Sequence, residues 1–267
     1  MYRILFFPCL IGTYLYLYLA LVFNLFYSTP RAMREIWYAR FGHFLLRVAG
    51  LHVRINGTDS IDLQKRGLVL LNHASILDNV VLAALFRQNK IGWNNMRTVS
   101  RISRKSIQNR VLRLFDSLLV NKNAMHDTAE LKKILPKWHA AGPLQIVLYP
   151  EGTIYLPETR VTPEQSNYLI RQGVEPYRHV LFPSNGIFEM LFQQYRPDYL
   201  YDVTILYRLN GRRLVGEIDI FRNLHREGAT IDVRLRRFAL AKQGQDGYNW
   251  LYQLWEQKDA YLQGLLV

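Results

Sequence analysis

An imidazole and a carboxylate five positions apart, His73 and Asp78, follow directly on the apolar run Gly67-Leu-Val-Leu-Leu71. When a carboxylate holds one ring nitrogen of a histidine, the other is free to take a proton. That is the wiring of a general base and its orienter, with a substrate hydroxyl standing where a triad has its serine. Five residues along one helix turn two side chains about 140° apart, so the pair cannot meet mid-helix. His73 must therefore lie in a loop, with a helix starting near Ser75 and Asp78 in its first turn. A structural reading competes, because Ser75-Ile-Leu-Asp78 also has the form of a capping box. Both readings fit those six residues alone.

The elements that must position this pair can be read from periodicity. Gly67–Leu71 is short, apolar and preceded by the polar turn Gln64-Lys65-Arg66, the pattern of a buried strand. Asn72 and His73 then fall at its carboxyl end, where open α/β sheets place their ligands. A second buried strand, Gln145-Ile-Val-Leu-Tyr149, runs into Pro150-Glu151-Gly152-Thr153, which offers a carboxylate, a backbone able to approach a ligand closely, and a hydroxyl. Such a tetrapeptide is by itself only a turn. Further strands are expected at Leu51–Asn56, Tyr201–Tyr207, Leu214–Phe221 and Ile231–Phe238, the middle two joined by an Asn210-Gly211 hairpin turn. Ser117–Val120 is a further short apolar run. Helices are expected over Asn79–Phe86, from Asp127-x-x-Glu130 onward with a kink at Pro136, and around Tyr248, Leu251, Tyr252 and Trp255. The expected fold is α/β, a mixed, largely parallel sheet flanked by helices, in one domain over residues 51–267.

Residues 1–50 read as a separate anchoring segment. From Ile4 to Tyr27 no residue is charged, and these 24 residues, at about 1.5 Å each, exceed the roughly 30 Å hydrocarbon thickness of a bilayer. The run is long for a signal peptide, and Tyr27-Ser-Thr-Pro30 is a poor cleavage site, so a membrane-embedded helix is expected, with Pro8 and Gly12 free to bend it. Arg31, Arg34 and Arg40 follow closely while only Arg3 precedes, which places the remaining chain on the cytoplasmic side. Trp37, Phe41, Phe44, Leu45 and Val48 then share a helical face opposite Arg40, His43 and Arg47. That pattern suits an amphipathic helix lying on a bilayer and equally a core helix.

The net charge of +13 suits nucleic acid, an anionic membrane surface or a phosphorylated substrate. Basic residues crowd from Arg97 to Arg113, including Arg101, Arg104, Lys105 and Arg110, as either a solvated face or a platform for phosphate. Base-stacking aromatics are missing there, so nucleic acid is not the expected partner. The single cysteine, Cys9, excludes an intramolecular disulfide and a thiolate metal cluster. His52, His126, His139, His179 and His225 lack metal-ligand spacing, and no metal is expected.

Asn72-His73-x-Ser75-x-x-Asp78 together with Tyr149-Pro150-Glu151-Gly152-Thr153, at their observed separation, resembles the glycerolipid acyltransferase family, which includes the lysophosphatidate acyltransferases. Val180-Leu-Phe-Pro-Ser-Asn-Gly186, Tyr201-Asp-Val-Thr-Ile-Leu-Tyr207, and Trp250-Leu251 with Trp255, Lys258, Asp259 and Leu262 bring the resemblance towards the branch containing lysophosphatidate and lysocardiolipin acyltransferases. The likeness runs from about Leu51 to Leu262. Three positions depart from it: Ile154 and Ser184 stand where members often carry arginine, and Leu118-Leu119-Val120-Asn121 ends without one, Lys122 following.

The resemblance implies acyl transfer from a soluble thioester donor such as acyl-CoA, as co-substrate rather than cofactor, to the hydroxyl of a bilayer lysophospholipid. His73 would be the base and Asp78 its orienter. Asn72, Ser75, Glu151, Gly152, Thr153 and Lys122 would bind substrate, with Arg160 or the Arg101–Arg110 group as further phosphate candidates. The expected product is phosphatidate from 1-acylglycerol 3-phosphate. The alternatives are another lysophospholipid acceptor such as lysocardiolipin, a non-catalytic lipid-binding protein, or a hydrolase, for which no Gly-x-Ser-x-Gly elbow is present.

Overall fold

The computed structural model describes residues 52–57, 60–88, 95–102, 109–110, 112–113, 115–121, 123–156, 176–240 and 247–266. The predicted membrane helix, the amphipathic helix after it, Cys9, Lys122 and Arg160 lie outside these residues. Among the described residues, no helix is long and apolar enough to cross a membrane.

The strands are β1 (His52–Asn56), β2 (Gly67–Leu71), β3 (Met96–Arg101), β4 (Leu118–Val120), β5 (Gln145–Leu148), β6 (Tyr199–Leu209), β7 (Arg212–Arg213) and β8 (Ala229–Ala239). They form one sheet in the order β1-β8-β6-β2-β5-β3-β4, with β7 also paired to β6. β6, β2, β5, β3 and β4 run parallel, while β8 and β7 are antiparallel to β6 and β1 lies parallel to β8. The expected mixed, largely parallel α/β sheet is thus present.

Helices cover both faces, which explains the unbroken apolar runs of the central strands. Along β2, Val69 and Leu71 point into one core with Leu77 of the loop, Val81, Leu82 and Leu85 of α1 (Asp78–Gln88) and Ile220 of α4 (Gly216–Asn223). Leu68 and Leu70 point into the other. That core is built with Leu131 and Trp138 of α2 (Ala124–Ala140), Phe188 and Leu191 of α3 (Asn185–Tyr195), and Leu251, Leu254 and Trp255 of α5 (Gly247–Gly264).

Several expectations are corrected. The stretch Leu214–Phe221 is not a strand: β7 ends after two residues and α4 follows. The alternation Glu217-Ile-Asp-Ile220 imitates a strand, but Gly216 at φ +75° turns the chain and Asp219 accepts from Val215 N–H at 3.0 Å, closing a helical first turn. Only Ile220 of the two isoleucines is buried; Ile218 is 67% exposed. The turn itself is as expected, with Asn210 and Gly211 both at positive φ. α2 starts earlier than Asp127, capped by Asn123 accepting from His126 N–H at 3.1 Å, and it runs through Pro136 to Ala140. The basic stretch after Arg97 hides β3: Arg97 is buried, 3.5 Å from Asp116, and donates to the Met96 carbonyl at 2.7 Å.

Gly67, which opens β2, admits no side chain. A Cβ there would lie 1.8 Å from Gln145 Oε1 and 2.6 Å from the Tyr201 ring. Neither can retreat, because Gln145 Nε2 donates to the carbonyls of Asp62 and Lys65 and Tyr201 Oη accepts from Asp62 N–H. Gly67→Ala is expected to destabilise the fold by about 1–3 kcal/mol, measured by denaturant unfolding.

Candidate active site

The site begins where β2 ends. Asn72 is buried and exchanges hydrogen bonds with Ile205 of β6, its Nδ2 donating to the carbonyl at 2.9 Å and its Oδ1 accepting from the amide at 2.8 Å. This fixes the next residue at the strand's mouth. The His73 ring reaches Asp78 with Nδ1 3.0 Å from Oδ2, and its side chain is 20% exposed while that of Asp78 is fully buried. Since a carboxylate accepts, Nδ1 carries the hydrogen and Nε2 keeps its lone pair for a proton. The Tyr149 ring packs against the imidazole at 4.5 Å between centroids.

Half of the expected capping box is formed: Asp78 takes the Ser75 amide, but the Ser75 hydroxyl bonds Glu217 and the Leu77 amide rather than the amide of Asp78. α1 begins at Asp78 itself, and the Oδ2 that meets His73 also accepts from Ala74 N–H at 2.8 Å and Ser75 N–H at 3.1 Å. Oδ1 accepts from the Tyr207 hydroxyl of β6 at 2.8 Å. Burial, then the Asp78 charge, raises the Tyr207 phenol well above its ordinary range, so it remains a donor.

Every backbone N–H from 73 to 78 is committed. His73 donates to Glu151 Oε2 at 3.1 Å, Ala74 and Ser75 to Asp78, Ile76 to Glu217 Oε1 at 2.7 Å, Leu77 to Ser75 Oγ at 3.1 Å, and Asp78 to the Ser75 carbonyl at 3.0 Å. Donors to an oxyanion at a reacting carbonyl must come from elsewhere.

Of the residues expected to bind substrate, Asn72, Ser75 and Glu151 spend their polar atoms on the protein. Ser75 is buried and donates to Glu217 Oε2 at 2.9 Å. Glu151 is buried, accepting from His73 N–H and, at 3.1 Å, from the Trp255 indole. Burial outweighs these donors and raises its carboxyl from 4.5 to about 7. Behind it, Lys258 of α5 is fully buried, 2.6 Å from Asp202 Oδ1 and donating to the Val203 carbonyl at 2.7 Å, while Arg236 holds Asp202 Oδ2 at 2.6 Å. Gly152 and Thr153, by contrast, face solvent, Gly152 at φ +69°. The two loops are joined by Tyr155 N–H donating to the His73 carbonyl at 2.7 Å. Ser184 occupies the N-cap position of α3 without a side-chain capping bond and donates its N–H to the Pro150 carbonyl at 2.8 Å, so it adjoins the second loop without bringing a charge. Arg101 and Arg110 are exposed.

Tyr207, Trp255 and Glu217 are the site's additions to the sequence reading. The first two stand inside segments that carry the resemblance, but nothing in their spacing says what they touch. Glu217 was concealed by the false strand.

A model of the acyltransferase family matches residues 52–208, more than half of the chain. The chain belongs to this family. The matched region contains both loops, and α4 and α5, which contribute Glu217 and Trp255, lie beyond it. Among relatives, the mouse protein 1-acyl-sn-glycerol-3-phosphate acyltransferase epsilon is 25% identical over 150 residues, 54% of this chain and 41% of that protein. The chain thus aligns with about two fifths of the relative's length. The crystal structure of the 1-acyl-sn-glycerophosphate acyltransferase PlsC from Thermotoga maritima has the same fold, with a TM-score of 0.52 at 12% identity over 99% of this chain and 98% of that one.

Two outcomes follow for this acyltransferase. Tyr207→Phe removes a donor from a buried carboxylate and is expected to cost about 1–3 kcal/mol of stability, read by thermal melting, together with a fall in kcat. For Glu151, the unfolded chain ionises near pH 4.5 whereas the folded one keeps its proton to about pH 7. Between these values the folded state binds more protons, so this group's contribution falls as pH rises, by on the order of 3 kcal/mol. Glu151→Gln removes that slope whatever its own constant cost. Denaturant unfolding of both proteins at pH 5 and pH 8 checks it, the variant gaining on the wild type at the higher pH.

Proposed function

We propose that this acyltransferase moves a fatty acyl group from acyl-CoA to the free hydroxyl of a lysophospholipid, with 1-acylglycerol 3-phosphate as acceptor and phosphatidate as product. The observation that carries the reading is the His73–Asp78 pair at 3.0 Å at the carboxyl end of β2, with the imidazole partly open to solvent. The activities for which the mouse relative and the bacterial protein are named support the choice of acceptor.

His73 Nε2 takes the acceptor's hydroxyl proton as the oxygen attacks the thioester carbonyl, and Asp78 balances the imidazolium that forms. The tetrahedral intermediate collapses by breaking the carbon–sulfur bond. The leaving thiolate recovers the proton from His73, giving an ester and free CoA. Gly152 and Thr153, exposed in the loop just after Glu151, meet the acceptor's polar head, with Lys122 as a further phosphate contact. Asn72, Ser75 and Glu151 hold the loop. The segment from Ile4 to Tyr27 anchors the chain in the bilayer where the acceptor resides, with the catalytic domain on the cytoplasmic side, and the charge of +13 favours capture of CoA phosphates. Ile154 and Ser184, uncharged where basic residues are frequent, support a second acceptor class, lysocardiolipin or another lysophospholipid.

The deciding experiment gives detergent-purified full-length protein oleoyl-CoA and a panel of lysophospholipids, with products identified by mass spectrometry. Phosphatidate is the expected main product, and His73→Ala is expected to lower its rate by about 10²- to 10⁴-fold with the fold retained. Product from another lysolipid but none from lysophosphatidate replaces the acceptor. Thioester loss that is indifferent to acceptor makes the protein a hydrolase.

A further inference from the structure

The loop 72–78 is gripped by one continuous segment of later chain. Ile205 takes Asn72, Tyr207 takes Asp78, and beyond the β6–β7 hairpin Glu217 takes the turn between the two catalytic residues. Glu217 grips with both oxygens: Oε1 accepts from Ile76 N–H at 2.7 Å and Oε2 from the Ser75 hydroxyl at 2.9 Å, while that hydroxyl itself accepts from Leu77 N–H at 3.1 Å. One carboxylate 141 residues away from Ile76 thus fixes, directly or through the Ser75 hydroxyl, two backbone donors of the turn that leads into α1.

Its own placement is firm. Gly216 lies at φ +75°, where a Cβ would come within 2.9 Å of Leu156 on the strand-end loop that follows Glu151. Asp219, one turn on, is held by Arg212 with contacts of 3.0 and 3.2 Å and by Asn223 at 2.7 Å. The start of α4 is therefore wedged against the second loop and braced from behind.

We infer that Glu217 is a positioning residue for the acyl transfer: it holds the Ser75-Ile76 turn so that Asp78 keeps its grip on His73. In an ordinary capping box the serine hydroxyl accepts from the backbone three residues on. Here Ser75 is turned away to Glu217, and the carboxylate of Asp78 stays with the imidazole. The role depends on reach and geometry, and the negative charge of Glu217 is incidental to it. A glutamine keeps the reach, its single oxygen able to accept from the Ile76 amide and the Ser75 hydroxyl together while its amide turns to the solvent side. An aspartate does not, being one methylene short.

The inference rests on His73-dependent acyl transfer, which wild type and His73→Ala report in the same assay, so failure of that reading is seen separately. Glu217→Asp is expected to lower kcat by on the order of 10- to 100-fold, the usual scale for a misplaced catalytic group. KM for oleoyl-CoA and for the lysophospholipid should stay near the wild-type values. Glu217→Gln is expected to keep kcat within about threefold, and thermal melts of both variants should remain cooperative. Wild-type kcat in both overturns the inference. So does the reverse order, with aspartate active and glutamine impaired, since charge rather than reach would then matter. A rise in KM at constant kcat would place Glu217 at the substrate and overturn it as well.

Discussion

One oxygen atom, Asp78 Oδ2, is where the molecule's structural and chemical demands meet. It accepts from the His73 ring and from two consecutive backbone amides, at 3.0, 2.8 and 3.1 Å. The amides close the loop onto the first turn of α1, and the ring bond sets which imidazole nitrogen is free. Its position at a helix start adds the favourable field of the helix dipole. A carboxylate so placed can neither drift nor rotate without opening the loop. The fold of the loop and the orientation of the His73 ring therefore rest on the same contacts.

A chain of buried charges backs this arrangement on the opposite side. Glu151 supports His73 through its backbone amide, Trp255 supports Glu151, and Lys258 stands behind with Asp202 and Arg236. Burial draws the Lys258 ammonium below its ordinary value while the Asp202 charge opposes that pull. Breaking such a cluster at one member strands the others away from water, which costs more than the pair contributes. The arrangement ties α5, at the far end of the chain, to the chemistry at β2.

What the sequence disclosed depended on whether the cause was local. The buried strand Gly67–Leu71 was legible because both its faces meet helices, giving an unbroken apolar run. The His73–Asp78 pair was legible because a spacing of five rules out both residues standing mid-helix and puts the histidine in the entry loop. Asn210-Gly211 was legible because few residue pairs tolerate two positive φ angles. By contrast, Glu217-Ile-Asp-Ile220 has the period of a strand, and what makes it helical is a glycine turn and a capping aspartate. β3 was masked by Arg97, whose charge reads as surface until Asp116 is known to face it. Tyr207, Glu217 and Trp255 reach the site from 129, 141 and 104 residues away from their partners, and no spacing rule bridges such distances.

Those separations bear on synthesis. A growing chain carries His73 and Asp78 early, yet β6 cannot pair with β2, nor can Tyr207 and Glu217 arrive, until more than two hundred residues have been made. Non-local pairing of this kind also makes a domain slow to close. The nascent chain therefore holds His73 and Asp78 without the frame that orients them. The His73–Asp78 pair gains its full set of contacts only once β6 and the start of α4 are available to enclose it.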